Sequence, residues 1–232
     1  MKLLFLGSIL PPIVLAVVLV VRIVVEQMGF DLDWDPVLTT LQIQAFPVAL
    51  LALALGTPSV ARDRSEDVLF LYATRPVTPT SYALGKMLAV AITCAALLIV
   101  PGVLLAVLRQ GVLGSRVSTP ESMLLIGKLS LAALAMAWGY AGVSVGPSAI
   151  TKRGRWALLI AIGVFLVPDA LNEIFANGEL AIGPAEAVEA ILQALFSGEA
   201  VTQGWFGAGM LVLYGVLGAL ITRARVATEM TP

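Results

Sequence analysis

Histidine is absent from this 232-residue chain, cysteine occurs once, and charged residues make up only 12% of the sequence. Without imidazole, haem ligation by histidine, histidine-based zinc protease sites and serine-histidine catalysis are excluded. The single cysteine, Cys94, cannot form a disulfide within the chain. The formal net charge of -1 carries no information about nucleic acid or acidic substrates, so the informative quantity is how the charges divide between the two sides of the membrane. No nucleic-acid partner is expected.

Apolar residues are in large excess, at 59% of the chain with a mean hydropathy of +0.97. A soluble domain is closer to half apolar and a quarter charged, so the excess is typical of a membrane protein. Six windows without central charge are predicted transmembrane spans: residues 3–25, 37–60, 86–107, 122–145, 156–171 and 205–221. The sequence predicts an all-α, multi-pass membrane protein with one transmembrane domain, residues 1–232.

The basic residues are divided unequally between the two sides of the predicted membrane. With the N-terminus inside, the inner segments carry ten basic and four acidic residues, and the outer segments carry four basic and eleven acidic residues. Because basic residues are enriched in cytoplasmic segments, both termini are predicted to be cytoplasmic.

The outer segment between the last two spans, residues 168–203, has a helical pattern of its own. Gly183-Pro184 is a favourable helix start. Apolar residues then recur on one helical face, at Val188, Ile191, Leu192, Leu195 and Phe196. The spacing predicts an amphipathic helix that lies on the outer leaflet or dips into it.

The cytoplasmic loop of residues 61–86, between the second and third spans, contains a second amphipathic pattern. Asp63 and Glu66 have the spacing of a helix-capping box. An apolar face follows at Val68, Leu69, Leu71 and Tyr72, and the pattern stops at Arg75-Pro76. The loop is therefore predicted to hold a short helix that binds a partner.

This loop resembles the membrane subunits of type-2 ATP-binding-cassette (ABC) exporters. The matching order is Arg64-Ser-Glu66-Asp67, the apolar stretch 68–73, Thr74-Arg75-Pro76-Val77, Tyr82-Ala-Leu84 and Gly85-Lys86. The resemblance implies a permease whose short coupling helix docks into an ATPase subunit. The residues expected to dock are Asp63, Arg64, Glu66, Asp67, Leu69, Phe70, Leu71, Tyr72 and Arg75.

The resemblance also implies the partners and the location. Gly85-Lys86 lacks the glycine spacing and the hydroxyl residue of a phosphate-binding loop, so ATP and magnesium are expected on two copies of a separate ATPase. The permease itself is expected to be non-catalytic, to bind no cofactor and to pair with itself or with a similar permease. An extracytoplasmic accessory protein is a further expected partner, and the location is the cytoplasmic (inner) membrane of a prokaryote.

Polar residues inside or beside the spans are candidates for an outer vestibule: Gln42, Gln44, Lys128, Asp169, Asn172 and Glu173. The alternative role for each is ordinary hydrogen bonding between helices. For Lys128, the alternative is a side chain that reaches the headgroups or forms an ion pair.

Small residues suggest close helix packing in two places. Gly142-Val-Ser144-Val-Gly146 matches a nucleophile-elbow pattern, but without a histidine base we interpret it as a packing motif. The last span carries glycines whose role is packing or dimerisation: Gly204, Gly207, Gly209, Gly215 and Gly218.

The alternative function is a membrane protein outside the ABC class, namely a small channel, a secondary carrier or the membrane anchor of a larger complex. A carrier would be expected to show inverted repeats or a mid-membrane acid, and the sequence shows neither. The sequence does not separate substrate export from mechanical work on an external partner.

Overall fold

The computed structural model describes residues 13–14, 17–18, 21, 36–69, 77–113, 119–176, 180–198 and 200–230, and these residues form helices and short connections without any strand. The elements are α1 (Pro36–Ser65), α2 (Pro79–Leu113), α3 (Thr119–Ile150), α4 (Gly154–Ala176), α5 (Pro184–Leu192), a π-helical turn (Gln193–Ser197) and α6 (Val201–Met230).

Five helices, α1 to α4 and α6, are long and apolar enough to cross a membrane. Each contains one of the predicted spans from the second to the sixth, so the chain is a polytopic membrane protein. The predicted first span, residues 3–25, lies mostly outside the described residues. The described part of it is helical and exposed, and comprises Ile13, Val14, Val17, Val18 and Val21.

The spanning helices extend beyond the apolar windows at both ends. The second window stops at residue 60, whereas α1 continues to Ser65, and the last stops at 221, whereas α6 continues to Met230. Long charged side chains at a helix end reach water while the backbone keeps its i to i-4 hydrogen bonds. Charge therefore marks where a helix leaves the apolar layer and not where it ends.

Helix α3 is the centre of the bundle and packs against α1, α2, α4 and α6. Residues 139–149 of α3 are all buried. Its most extensive contact is with α6. The two helices run parallel, as the order of the facing residues shows: Gly139, Gly142 and Gly146 of α3 face Leu211, Gly215 and Gly218 of α6. A β-carbon on Gly218 would lie 2.5 Å from the Gly142 Cα, so only glycine allows this backbone approach.

Most glycines of α6 pack against other helices of the same chain. Gly215 and Gly218 contact α3, while Gly204 and Gly207 approach residues 187–194, in α5 and the π-helical turn. A β-carbon on Gly209 would meet nothing within 4 Å. Packing, and not dimerisation, is therefore the role of four of the five glycines.

Each of α1 to α4 contains at least one internal proline: Pro47, Pro58, Pro101, Pro147 and Pro168. A proline removes one backbone donor, and neighbouring helices compensate in membrane proteins. Two and three residues beyond Pro58, the N–H groups of Val60 and Ala61 both donate to Ser148 Oγ over 2.9 Å. Ser148 follows Pro147, so the bond joins the proline-containing parts of α1 and α3.

The bundle has two chemically different ends. At the basic end, α1, α3 and α6 finish and α2 and α4 begin, and the described side chains include eight basic and four acidic groups. At the acidic end, which includes α5, the described side chains comprise five acids and one base. This division agrees with the charge asymmetry predicted for the two sides.

Helix α5 begins at Pro184 after Gly183, so the predicted helix of the segment 168–203 is confirmed. Its apolar face contacts other helices of the chain. Val188, Ile191 and Leu192 are at most 4% exposed, and α5 packs against α6, α4, α3 and α1. Protein, and not lipid, covers its apolar face because the parallel α3 and α6 leave a surface at the acidic end that α5 fills.

Candidate functional site

The loop predicted to dock a partner begins at the basic end. The spacing predicts that Asp63 caps a new helix. Instead, Asp63 lies in the last turn of α1, which ends at Ser65. The Glu66 N–H donates to the Arg62 carbonyl over 3.0 Å, and Asp67 has a φ of 53°. A left-handed residue is a common helix stop. Helical conformation resumes at Val68 and Leu69.

The two ends of this loop are joined by a group that we term the stem: Asp63, Tyr82 and Lys86. Tyr82 Oη donates to Asp63 Oδ2 over 2.6 Å, and Lys86 Nζ lies 2.8 Å from the same oxygen. Lys86 also donates to the Ser59 carbonyl and lies 5.5 Å from the centre of the Tyr82 ring. Charge-assisted bonds of this kind hold the start of α2 against the end of α1.

Arg64 connects three helix ends. Its Nε donates to Glu229 Oε1 over 2.9 Å, and one terminal nitrogen donates to the same oxygen. The other terminal nitrogen donates to the Ala149 carbonyl, one of the last four carbonyls of α3, which lack an intrahelical donor. Only 10% of the Arg64 side chain is exposed, so its guanidinium is directed into the bundle and not into solvent.

Two of the residues expected to dock are accessible. Glu66 and Asp67 are exposed, and Arg62 forms an exposed ion pair of 2.8 Å with Glu66. Leu69 is 2% exposed and belongs to the core. Phe70, Leu71, Tyr72 and Arg75 lie outside the described residues.

The predicted vestibule residues do not form one site. Gln44 is buried and its Nε2 donates to the Leu97 carbonyl of α2 over 2.7 Å, which is the interhelical role named as the alternative. Glu173 is exposed. Gln42 lines a cleft described below. Gln42 and Gln44 are two residues apart on α1 and therefore point to opposite faces of that helix, and Glu173 lies on α4.

Asp169 and Asn172 of α4 hold the start of α5. Asp169 accepts hydrogen bonds from the Ala185 and Glu186 N–H groups over 3.4 and 3.3 Å, and these are donors that a helix start leaves free. Asn172 Nδ2 donates to Glu186 Oε2 over 2.7 Å. The Asn172 Oδ1 is buried, with no hydrogen-bond partner among the described residues. Both side chains therefore join α4 to α5.

Lys128 is half-buried, with no hydrogen bond or ion pair to another described residue. It shares a face of α3 with Leu131 and Ala135, which line an apolar groove against α6. The register of α3 against α6 puts Lys128 level with Ala200, just before α6 begins. This position near the acidic end favours the interpretation that the side chain reaches the headgroups.

The acidic end also contains a cleft of about 350 Å³ between α1, α3, α4 and α5. Its lining includes Gln42, Phe46, Tyr140, Phe165, Val188 and Glu189. Of these residues, sequence reasoning predicted only Gln42 to line a vestibule, and it assigned Val188 to the apolar face of the outer helix. The aromatic residues are unremarkable as single positions in apolar spans, so the sequence offered no signal for this arrangement.

Ser144, in the motif with the nucleophile-elbow pattern, is fully buried and its Oγ donates to the Ala141 carbonyl over 3.1 Å. A β-carbon on Gly56 would collide with the Ser144 side chain. This contact between α1 and α3 supports the packing interpretation of the motif.

Comparison with protein-family models and with curated proteins gives no match for this chain.

Proposed function

We propose that this polytopic membrane protein is the permease subunit of an ATP-driven exporter of the type-2 ABC class, with ATP hydrolysed by a separate subunit. The observation that carries the proposal is the loop from Arg64 to Lys86, whose residue order resembles that family. The stem supports it, because Tyr82 and Lys86 belong to the resembling pattern and bind Asp63.

The stem and Arg64 supply what a docking loop needs, which is a rigid attachment to the membrane helices. A displacement of residues 66–69 by a docked ATPase would be transmitted to α2 through the Asp63–Lys86 ion pair. It would be transmitted to α3 and α6 through the hydrogen bonds of Arg64. Asp63 and Arg64 therefore act as supports for the loop. Contact with the ATPase falls to Glu66 and Asp67, and to residues 70–75 of the predicted coupling helix.

In this proposal, two permeases pair in the membrane, as a homodimer or a heterodimer, and each docks one ATPase that holds ATP and magnesium. Closure of the two ATPases moves the loops together, and the helices follow as rigid bodies between two packings. The work is either export of a substrate or force on an accessory protein outside the membrane.

The basic residues support the same orientation. Lys152, Arg153 and Arg155, together with Arg223 and Arg225, lie at the same end of the bundle as the loop. Under the positive-inside rule this end is cytoplasmic, which is the side on which an ATPase would dock.

The proposal is tested with a tagged chain purified from its native membrane in mild detergent, followed by mass spectrometry of the copurifying proteins. We expect a protein with a phosphate-binding loop. The double variant Glu66→Lys and Asp67→Lys reverses two exposed charges and should lower ATPase recovery about tenfold or more, equivalent to about 1.4 kcal/mol of binding. Its thermal stability should stay near that of the native chain, since the exposed Arg62–Glu66 pair contributes only about 0.3–0.5 kcal/mol.

The matched control is Glu173→Lys, a charge reversal at an exposed position of the acidic end, which should leave ATPase recovery unchanged. Recovery and ATPase stimulation at native levels in the double variant would show that the loop does not dock the motor. Absence of any such ATPase from the native preparation would instead favour a channel, a carrier or a membrane anchor.

A further inference from the structure

The lining of the cleft at the acidic end includes one charged residue and three aromatic residues. Phe46 of α1 is 66% exposed, and the Tyr140 and Phe165 rings stand 5.9 Å apart at 49°. Val188 and Leu192 of α5 complete an apolar surface. At about 350 Å³, the cleft lies at the lower end of the volume range of small-molecule sites.

Glu189 is the only charged residue in the described lining of this cleft. Glu189 is exposed, and Gln193 Nε2 donates to its Oε1 over 3.1 Å, a bond that does not neutralise the carboxylate. Its second oxygen has no hydrogen-bond partner among the described residues. The carboxylate is therefore held at the edge of an apolar cavity with one oxygen available to a donor.

The charges around the cleft have the same sign. Asp169 and Glu186 lie at this end of the bundle, on the helices that form two of its walls. The one described base at this end, Lys128, is on the face of α3 that lines the separate groove against α6. The field in the cleft thus attracts cations and repels anions.

We infer that this cleft binds an amphipathic organic monocation, with its apolar or aromatic body against Phe46, Tyr140 and Phe165 and its cationic group at Glu189. Aromatic faces and a carboxylate both attract such a cation, since the ring faces are electronegative. A neutral acyl chain would fill the apolar part but would make no interaction with the carboxylate of Glu189. The inference does not depend on docking of an ATPase.

The test uses the purified chain in nanodiscs of neutral phosphatidylcholine, so that lipid headgroups do not compete for the probe. Ethidium is a suitable monocation because its fluorescence rises in an apolar site. We expect saturable binding that Glu189→Gln weakens at least tenfold in Kd. This variant keeps an oxygen acceptor for Gln193 and removes only the charge.

Two comparisons make the result specific. Glu173→Gln removes an exposed acid of α4 outside the cleft and should leave the Kd within a factor of two. Phenanthridine, the uncharged ring system of the probe, should compete weakly, and its binding should be insensitive to Glu189→Gln. Phe46→Ala should weaken both molecules because it removes part of the wall that both would contact.

Three outcomes would overturn the inference: no saturable binding of ethidium, equal binding by the Glu189→Gln variant, or equal affinity for the charged and uncharged molecules. The last would identify an apolar cleft that lipid tails fill. Elution profile and thermal stability of each variant establish that it is folded. No ATP is present, so a negative result here leaves the ATPase copurification experiment unaffected, and the reverse also holds.

Discussion

Arg62 and Arg64 lie two residues apart, yet their environments differ completely. Arg62 is 74% exposed and pairs with Glu66 one turn away, whereas Arg64 is 10% exposed and holds Glu229 and the Ala149 carbonyl. An exposed i, i+4 pair contributes a few tenths of a kcal/mol. Hydrogen bonds that involve a charged group and exclude water contribute more. Burial, and not charge, decides which arginine matters for stability.

Replacement of Arg64 by methionine therefore tests this difference. Arg64→Met removes three hydrogen bonds and leaves Glu229 near the end of α6, where a negative charge is unfavourable. We expect a loss of about 2 kcal/mol in the free energy of unfolding, below the 3–5 kcal/mol of a fully buried pair because Glu229 stays 28% exposed. Arg62→Met should cost less than about 0.5 kcal/mol. Reversible unfolding of both variants in mixed micelles gives the comparison, and equal losses would contradict it.

The partners of Arg64 were beyond sequence reasoning because they lie 85 and 165 residues away along the chain. A charge that follows an apolar run has the same local pattern whether it faces water or a neighbouring helix. Tyr82 and Lys86 show a related case, since the resemblance singled them out but their contact with Asp63 required the arrangement of α1 and α2.

At the scale of elements, α6 is held to α3 by contacts between glycine backbones. Gly218→Ala would put a β-carbon 2.5 Å from the Gly142 Cα, and neither backbone can move without separating the two helices. We expect a loss of about 1–3 kcal/mol in the free energy of unfolding, as for an overpacked core. Gly209→Ala, in the same helix but facing open space, should be neutral or stabilising by up to about 1 kcal/mol.

Thermal unfolding of the two glycine variants in the same detergent measures both effects. A Gly218→Ala variant as stable as the native chain would show that α3 and α6 are not in backbone contact. If Gly209→Ala were the more damaging change, the open face of α6 would have a partner in the membrane.

Five helices could be predicted from the sequence because hydropathy over about 20 residues is a local property. The helix at 184–192 was predictable for the same reason, since the spacing of its apolar residues is local. Which surface covers that apolar face could not be predicted, because an amphipathic helix has the same sequence pattern whether its apolar face contacts lipid or α6. The cleft was unpredictable too, since four helices contribute its walls.

At the scale of the whole molecule, the two ends of the bundle differ in charge, and this difference has a direct consequence for topology. Lys152, Arg153 and Arg155 are exposed at the basic end, whereas Glu173 is exposed at the acidic end. Because basic segments are retained in the cytoplasm, the loop that follows α1 should face the cell interior. An ATPase could reach that loop only in this orientation.

Single cysteines at the two ends test the orientation, because Cys94 is the only native cysteine and is buried, so Cys94→Ala gives a suitable background. In intact cells, a membrane-impermeant maleimide should label Glu173→Cys and leave Lys152→Cys unlabelled until the membrane is permeabilised. Both positions are exposed, so a lack of labelling reports the side of the membrane and not burial. The reverse pattern would place the stem, Glu66 and Asp67 outside the cell, where there is no ATP to drive a docked motor, and the proposed function would then fail whatever the loop resembles.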